Sequence, residues 1–359
     1  MNQISRTIEL PLSRQYVRQW GVAEAVRELL QNAIDSDSPL EYSFMGDTLT
    51  IASRDVTLDA RTLILGNTSK ADDDSAIGSF GEGYKLALLV LAREEYKVKV
   101  RNGYVDWYPE FRHSDTYGDE VLCIDECPAE VANFGLEFVV SGLSHTDTTA
   151  IYDSCLLMQP LMEDAIKTPK GDILPSRPGK LYVGGLYVCD TDLAYGYNVM
   201  PEFITLERDR QTVSDWDIKN QTKEMWFSTQ RWDEIAEKMD SGLADLQYAE
   251  YGCPELVKEA CYRRFTEKNP GAIIVNSQKE MEAMVAKGMT HTVYAGSSGY
   301  YHAVSTSANY KTQVGHTIRV ATPKEFLEQW AEQNQRIMSH PLRIAFKSVI
   351  AKSAKWKET

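Results

Sequence analysis

The chain has 359 residues, enough for two or three domains with cores of their own. Its composition, 43% hydrophobic and 25% charged, is ordinary for a soluble globular protein, and no apolar run reaches the length a membrane helix needs. A net charge of −14 works against binding of nucleic acid or acidic lipid by the surface as a whole and leaves that role only to a local basic patch.

In chain order, residues 1–21 hold a short strand-like run with Ile4, Ile8 and Leu10, then Pro11. Residues 22–35 predict a helix whose stripe of Val22, Val26, Leu29, Leu30 and Ala33 can face a core. Strand-like runs follow at 40–52, 96–101, 104–109, 120–124 and 135–141, with an apolar helix at 84–93 between them. Mixed strands with helices gathered on one face predict an α+β sandwich over residues 1–147. Asp72-Asp73-Asp74 and its polar neighbours read as a loop.

A second unit is expected over 148–230, with a helical stretch at about 149–166, the short run Gly171-Asp-Ile-Leu174, β-rich sequence at 180–188 and a strand-like Phe203-Ile-Thr-Leu206. The third, 231–359, opens with charged helical sequence. Ala272-Ile-Ile-Val275, a helix over 277–287 and Thr292-Val-Tyr294 then predict a β-α-β unit with a parallel pair. Helices are expected at 323–338 and 341–357. The tail sets Arg343, Lys347, Lys352, Lys355 and Lys357 against Glu358. It reads either as a contact for nucleic acid or a partner, or as a helix packed on its own acidic body. Six scattered cysteines and no export-signal pattern at the N-terminus predict reduced thiols in a cytoplasm. Cys123 and Cys127 lack the second pair a zinc site needs.

Two segments carry chemistry. Glu28, Asn32 and Asp35 stand at i, i+4 and i+7, on one face of the first helix. A carboxylate, an amide and a second carboxylate in a row suit a metal–triphosphate site with a water-activating base. Gly78-Ser-Phe-Gly-Glu-Gly-Tyr-Lys85 is a glycine-rich turn leading into the apolar helix. Glycines let backbone approach phosphate closely, and a helix N-terminus presents free N–H groups.

Between these segments lie the strand Leu49-Thr-Ile51 and Thr68-Ser69-Lys70. In this order, over about residues 8–145, the motifs resemble the GHKL superfamily of gyrase, heat-shock chaperones, histidine kinases and MutL. The resemblance implies a Bergerat-type sandwich that binds a nucleoside triphosphate, ATP in most relatives, with Mg²⁺. It implies Glu28 as the general base, Asn32 as the protein's ligand to the metal and Asp35 as a hydrogen-bonding support. Gly78, Gly81 and Gly83 would wrap the phosphates in the turn that also holds Phe80, Glu82 and Tyr84. Thr68, Ser69, Lys70 and Lys85 would add contacts and charge, and residues 72–74 fall at the family's ATP lid.

Two departures concern the base. The family's Asp-x-Gly-x-Gly after the strand is replaced by Ser53-Arg-Asp55, with Ser53 in the aspartate slot and Asp55 where the first glycine should be. The family's Gly-Thr at the last strand is Gly135-Leu136. Both adenine-reading groups are therefore altered, which implies reading by other residues or relaxed selectivity. Segment 148–230 resembles the β-α-β transducer domain of several relatives, with Arg208 and Arg210 matching cations that reach the γ-phosphate and Gln221-Thr222-Lys223 a loop lysine.

The resulting expectation is a cytoplasmic, Mg²⁺-dependent nucleoside triphosphatase working as a conformational switch on an unidentified protein or DNA partner, with no membrane contact. The resemblance also implies a nucleotide-dependent homodimer and, from similar small phage-borne ATPases, a host cytoplasm. A GHKL-type protein kinase is one alternative, although only about 21 residues precede the motif helix, which leaves no room for a phospho-accepting dimerisation helix. A non-enzymatic module with a structural nucleotide is the other.

Overall fold

The structure, a computed structural model, describes residues 4–35, 39–63, 83–206, 213–286, 291–317, 324, 327–328, 330–331 and 338–353. It is an α+β protein whose chain gathers into two compact units, residues 1–221 and 222–359.

The first unit is built on a seven-stranded sheet. Its strands are β1 (Arg6–Ser13), β2 (Glu41–Met45), β3 (Thr48–Arg54), β4 (Lys97–Asn102), β5 (Val105–Ser114), β6 (Asp119–Pro128) and β7 (Gly135–Ser141), in the order β1-β6-β5-β4-β7-β3-β2. Every neighbouring pair is antiparallel. Period-two patterning explains which face turns inward. In Lys97-Val-Lys-Val-Arg-Asn102, Val98, Val100 and Asn102 are buried while the basic residues face outward. The outer face is stitched by cross-strand ion pairs, Lys99 to Asp106 at 2.8 Å and Arg101 to Glu137 at 2.6 Å.

The run expected at 40–52 is a hairpin of two strands, broken at Gly46, whose φ of +63° a side chain would resist. β5 runs past Pro109 to Ser114, five residues beyond the strand expected there. Its pairing with β4 ends at Trp107, so Pro109 lacks its N–H only where no β4 partner stands, while the ladder to β6 continues to Ser114. Pro11 sits likewise in edge strand β1, at a shift of register between Leu10 and Ser13.

Helices α1 (Val22–Ile34) and α2 (Gly83–Arg93) pack on one another and against this sheet. α1 starts at Gly21, whose N–H donates to Glu24 Oε2 at 2.8 Å, and buries Val26, Leu29, Leu30 and Ala33, four of the five residues of the predicted stripe. α2 is buried all round from Gly83 to Leu91, which explains its continuous apolar sequence. α3 (His145–Ser154) packs on α1 and so shares the core of residues 1–147.

The helix expected to 166 stops far earlier. A short 3-10 turn, Leu156–Met158, follows α3, and Pro160 lies just beyond it. A five-stranded sheet then forms from β8 (Ile166–Thr168), β9 (Gly171–Leu174), β10 (Lys180–Val183), β11 (Leu186–Asp190) and β12 (Gly196–Val199), in the order β11-β10-β12-β9-β8. No helix intervenes between these strands, so the β-α-β order expected for this segment is absent from it. Residues 203–206, expected to be strand-like, hold only the end of a 3-10 turn, Pro201–Phe203.

α4 (Asp215–Ser228) spans the boundary of the two units. The second unit continues with α5 (Trp232–Asp240), α6 (Glu255–Lys268), β13 (Ile273–Val275), α7 (Gln278–Ala286), β14 (Thr292–Tyr294), α8 (Ser298–Thr306), α9 (Ala308–Thr317) and α10 (His340–Ser353). β13 and β14 form the expected parallel pair. Buried Ile235, Met239, Val257, Cys261, Phe265, Tyr300 and Val304 make its core, and Tyr310 Oη accepts from the buried N–H of Ile274 at 3.1 Å. Among the described residues no helix is long and apolar enough to cross a membrane, and all six cysteines are free thiols.

One buried amide ties the loop after β3 to the sheet. Asn102 Oδ1 accepts from Leu58 N–H and its Nδ2 donates to Leu58 carbonyl, both at 2.8 Å. Asn102→Ala strands both backbone groups and is expected to lower stability by about 2 kcal/mol, read as a reduced thermal midpoint in scanning calorimetry.

Candidate functional site

α1 carries the first group of site residues. Its turn geometry brings Glu28 and Asn32 together: Asn32 Nδ2 donates to the Glu28 carbonyl at 2.6 Å. That bond fixes the amide and leaves Oδ1 as the acceptor end, the atom a hard cation would take. Asp35 is the C-cap of the helix and half-buried.

Glu28 is fully buried. Moving a carboxylate out of water costs several kcal/mol unless it is paired. Arg27 supplies a pair, with its Nη2 3.2 Å from Glu28 Oε1, and is itself buried. Its Nη1 donates to the Tyr187 carbonyl at 3.3 Å, and its guanidinium lies 5.8 Å from the Trp20 ring centre.

Lys85 in the first turn of α2 is also fully buried, contrary to its reading as a solvated lysine. Its ammonium lies 5.7 Å from the Tyr84 ring centre. Tyr84 is buried beside Phe138, shares a 2.8 Å hydrogen bond with the Thr62 hydroxyl, and burial pushes its phenol up to about 12. A cation at the N-terminal end of a helix opposes the helix dipole. Three ionisable side chains, on two helices packed against each other, are thus withdrawn from water within this unit.

Ser53 on β3 and Leu136 on β7 are direct cross-strand partners, and both are buried. Gly135 has a packing reason. A Cβ there would stand 2.4 Å from the Ser53 carbonyl oxygen, so only glycine lets β7 approach β3. Asp55 is exposed in the left-handed region at φ +57°, with its N–H donating to the Phe134 carbonyl at 3.1 Å. It adopts the conformation that a glycine in that slot would supply, one that aspartate tolerates better than most residues.

Gly83, Tyr84 and Lys85 belong to α2, whereas Thr68, Ser69, Lys70, Gly78, Phe80, Gly81, Glu82, Arg208 and Arg210 lie outside the described residues, as do residues 72–74. Gln221-Thr222-Lys223 is helical, within α4, and not a loop; Lys223 Nζ donates to the Tyr251 carbonyl at 2.7 Å and is buried. Among the described residues no three His, Cys, Asp or Glu side chains cluster to hold a metal. Magnesium would accordingly depend on Asn32 together with phosphate oxygens and water, a set that suits this ion. The sequence did not point to Arg27, because only the burial of its neighbour makes an arginine necessary there.

No protein-family model matches the chain. An uncharacterized protein of Mycoplasma pneumoniae (strain ATCC 29342 / M129 / Subtype 1) is similar, at 24% identity over 213 residues, covering 54% of this chain and 86% of that protein.

The Arg27–Glu28 pair sets a measurable coupling. Arg27→Met removes one partner of a buried pair and is expected to cost about 3 kcal/mol, and less in a Glu28→Gln background. A double-mutant cycle by chemical denaturation should return a coupling above about 1 kcal/mol; additive effects would show that the two side chains do not support each other.

Proposed function

We propose that residues 1–147 form a GHKL-type nucleotide-binding unit of Bergerat-like design, and that the protein is a slow Mg²⁺-dependent nucleoside triphosphatase. The observation that carries this is the withdrawal of Glu28 and Lys85 from water on two helices packed against each other, the second of which begins within the glycine motif. Neither burial has a use in a plain core, where apolar residues of similar volume serve better. A one-sided antiparallel sheet with α1 and α2 packed against it adds support.

In this mechanism Asn32 would hold Mg²⁺ together with the nucleotide, and the metal would supply neutralisation of charge on the transferring phosphoryl group. Glu28 accepts the proton of a water in line with the γ-phosphate. Arg27 holds that carboxylate against rotation, and Lys85, with Lys70, adds positive charge toward the phosphates. Arg208 and Arg210 are candidates for the cation that completes the site once nucleotide is bound. The switch acts on a protein or DNA partner, and dimerisation is its expected output.

Nucleotide turnover tests the proposal directly. Glu28→Ala is expected to keep Mg²⁺–nucleotide binding while hydrolysis falls at least about 100-fold. Asn32→Ala should instead weaken the metal-dependent part of binding. Wild-type turnover in Glu28→Ala would exclude Glu28 as the base. Label transferred from γ-labelled nucleotide to protein would favour a kinase, and binding without turnover a structural nucleotide.

Selectivity among bases is expected to be weak, because buried Ser53 stands where adenine-reading relatives carry a carboxylate and buried Leu136 where they carry a threonine hydroxyl. Shape alone discriminates by about 1–3 kcal/mol, whereas buried polar reading gives much more. Calorimetric titration with ATP, GTP and CTP should place all three within about 100-fold of each other. A far larger preference for ATP that Asp55→Ala abolishes would assign the reading to Asp55.

A further inference from the structure

A cavity in the first unit lies at the N-terminal turn of α1. It measures about 330 Å³ and is enclosed by that turn, the end of α3 and the β10–β11 hairpin. Its lining is unusually cationic for a chain of net charge −14: Arg27, Arg177 and Lys180 converge on it. The aromatic residues Tyr182 and Tyr187, 5.7 Å apart edge to face, complete one wall.

Arg27 is the decisive group. It is more than nine-tenths buried, yet it lines the cavity. A guanidinium has five N–H donors. Among the described residues Arg27 uses two, at 3.2 and 3.3 Å, the long end of the range for such bonds.

Of the acids nearby, Glu28 pairs with Arg27 at 3.2 Å. Glu24 is committed to the Gly21 N–H. Asp153 stands 3.7 Å from Arg177 and Asp190 2.6 Å from Lys180, and both carboxylates are exposed, so water can replace either partner when the cation turns inward.

We propose that this cavity binds a small organic anion, a phosphate monoester or carboxylate whose flat apolar part lies against Tyr182 and Tyr187 while its charged end meets Arg27, Arg177 and Lys180. The volume is at the lower end for small-molecule sites, and the mix of aromatic wall and few convergent charges is typical of them. The same guanidinium holds Glu28, so the bound anion and the Glu28 carboxylate compete for Arg27.

Phenyl phosphate, followed by ligand-observed NMR and calorimetry on the full chain, is the probe. It is expected to bind at millimolar concentration or tighter, and more strongly than inorganic phosphate. Arg27→Met could unfold the core, so the test uses the partly exposed rim. The double variant Arg177→Gln/Lys180→Gln should keep the wild-type melting temperature and weaken binding at least about tenfold, the loss of two charge-assisted contacts. Glu28→Gln, which releases Arg27, should tighten binding by about threefold. No binding to the wild type, or equal binding by the rim variant, overturns the site. Phenyl phosphate displaced by ATP and indifferent to the rim variant would lie in the nucleotide site, and also overturns it. Unchanged affinity in Glu28→Gln overturns the competition for Arg27.

Discussion

Withdrawing charge from water is the constraint on which the first unit turns. Glu28 and Lys85 are fully buried, and Arg27 nearly so. Each would cost several kcal/mol alone. Arg27 answers Glu28 at 3.2 Å and is in turn held by the Tyr187 carbonyl of the β10–β11 hairpin. The five-stranded sheet is thereby joined to the helix that carries the site residues through one guanidinium. A lysine could not make the same fork, because its ammonium is a point charge without a planar pair of donors.

The seven-stranded sheet makes this burial affordable by remaining strictly two-faced. Its inner side presents Val98, Val100, Phe138, Val140, Leu49 and Ile51 to α1 and α2, and its outer side is held by ion pairs whose cations, Lys99 and Arg101, remain in contact with water. Those outer pairs are each worth little, about 0–1 kcal/mol. Their effect is on register, since a slip by one residue would turn valines outward and lysines into the core. Gly135 against the Ser53 carbonyl and the left-handed Asp55 set the local geometry where β3 leaves the sheet.

Much of this organisation was legible along the chain. Alternation in 97–102 and 135–141 marked strands, and the spacing of Val26, Leu29, Leu30 and Ala33 marked the face of α1 that is buried. Errors fell where distant partners decide. β5 was expected to end at Pro109, but a missing N–H matters only on an edge with a partner. The segment 149–166 has helical composition, yet α3 ends at Ser154 and Pro160 follows. Phe203-Ile-Thr-Leu206 has β-forming residues but no neighbouring strand to pair with them.

The candidate site divides in the same way. Sequence by itself determined that Glu28 and Asn32 share a helical face, because a 3.6-residue period is a local property, and the Asn32 to Glu28 carbonyl bond at 2.6 Å expresses it. Only the tertiary structure decided that Glu28 and Lys85 leave the solvent, that Arg27 is the partner of Glu28, and that Ser53 and Leu136 face each other across paired strands although 83 positions separate them in the chain. Desolvation and cross-strand register are set by what packs against a residue from elsewhere in the chain, and no local pattern encodes that.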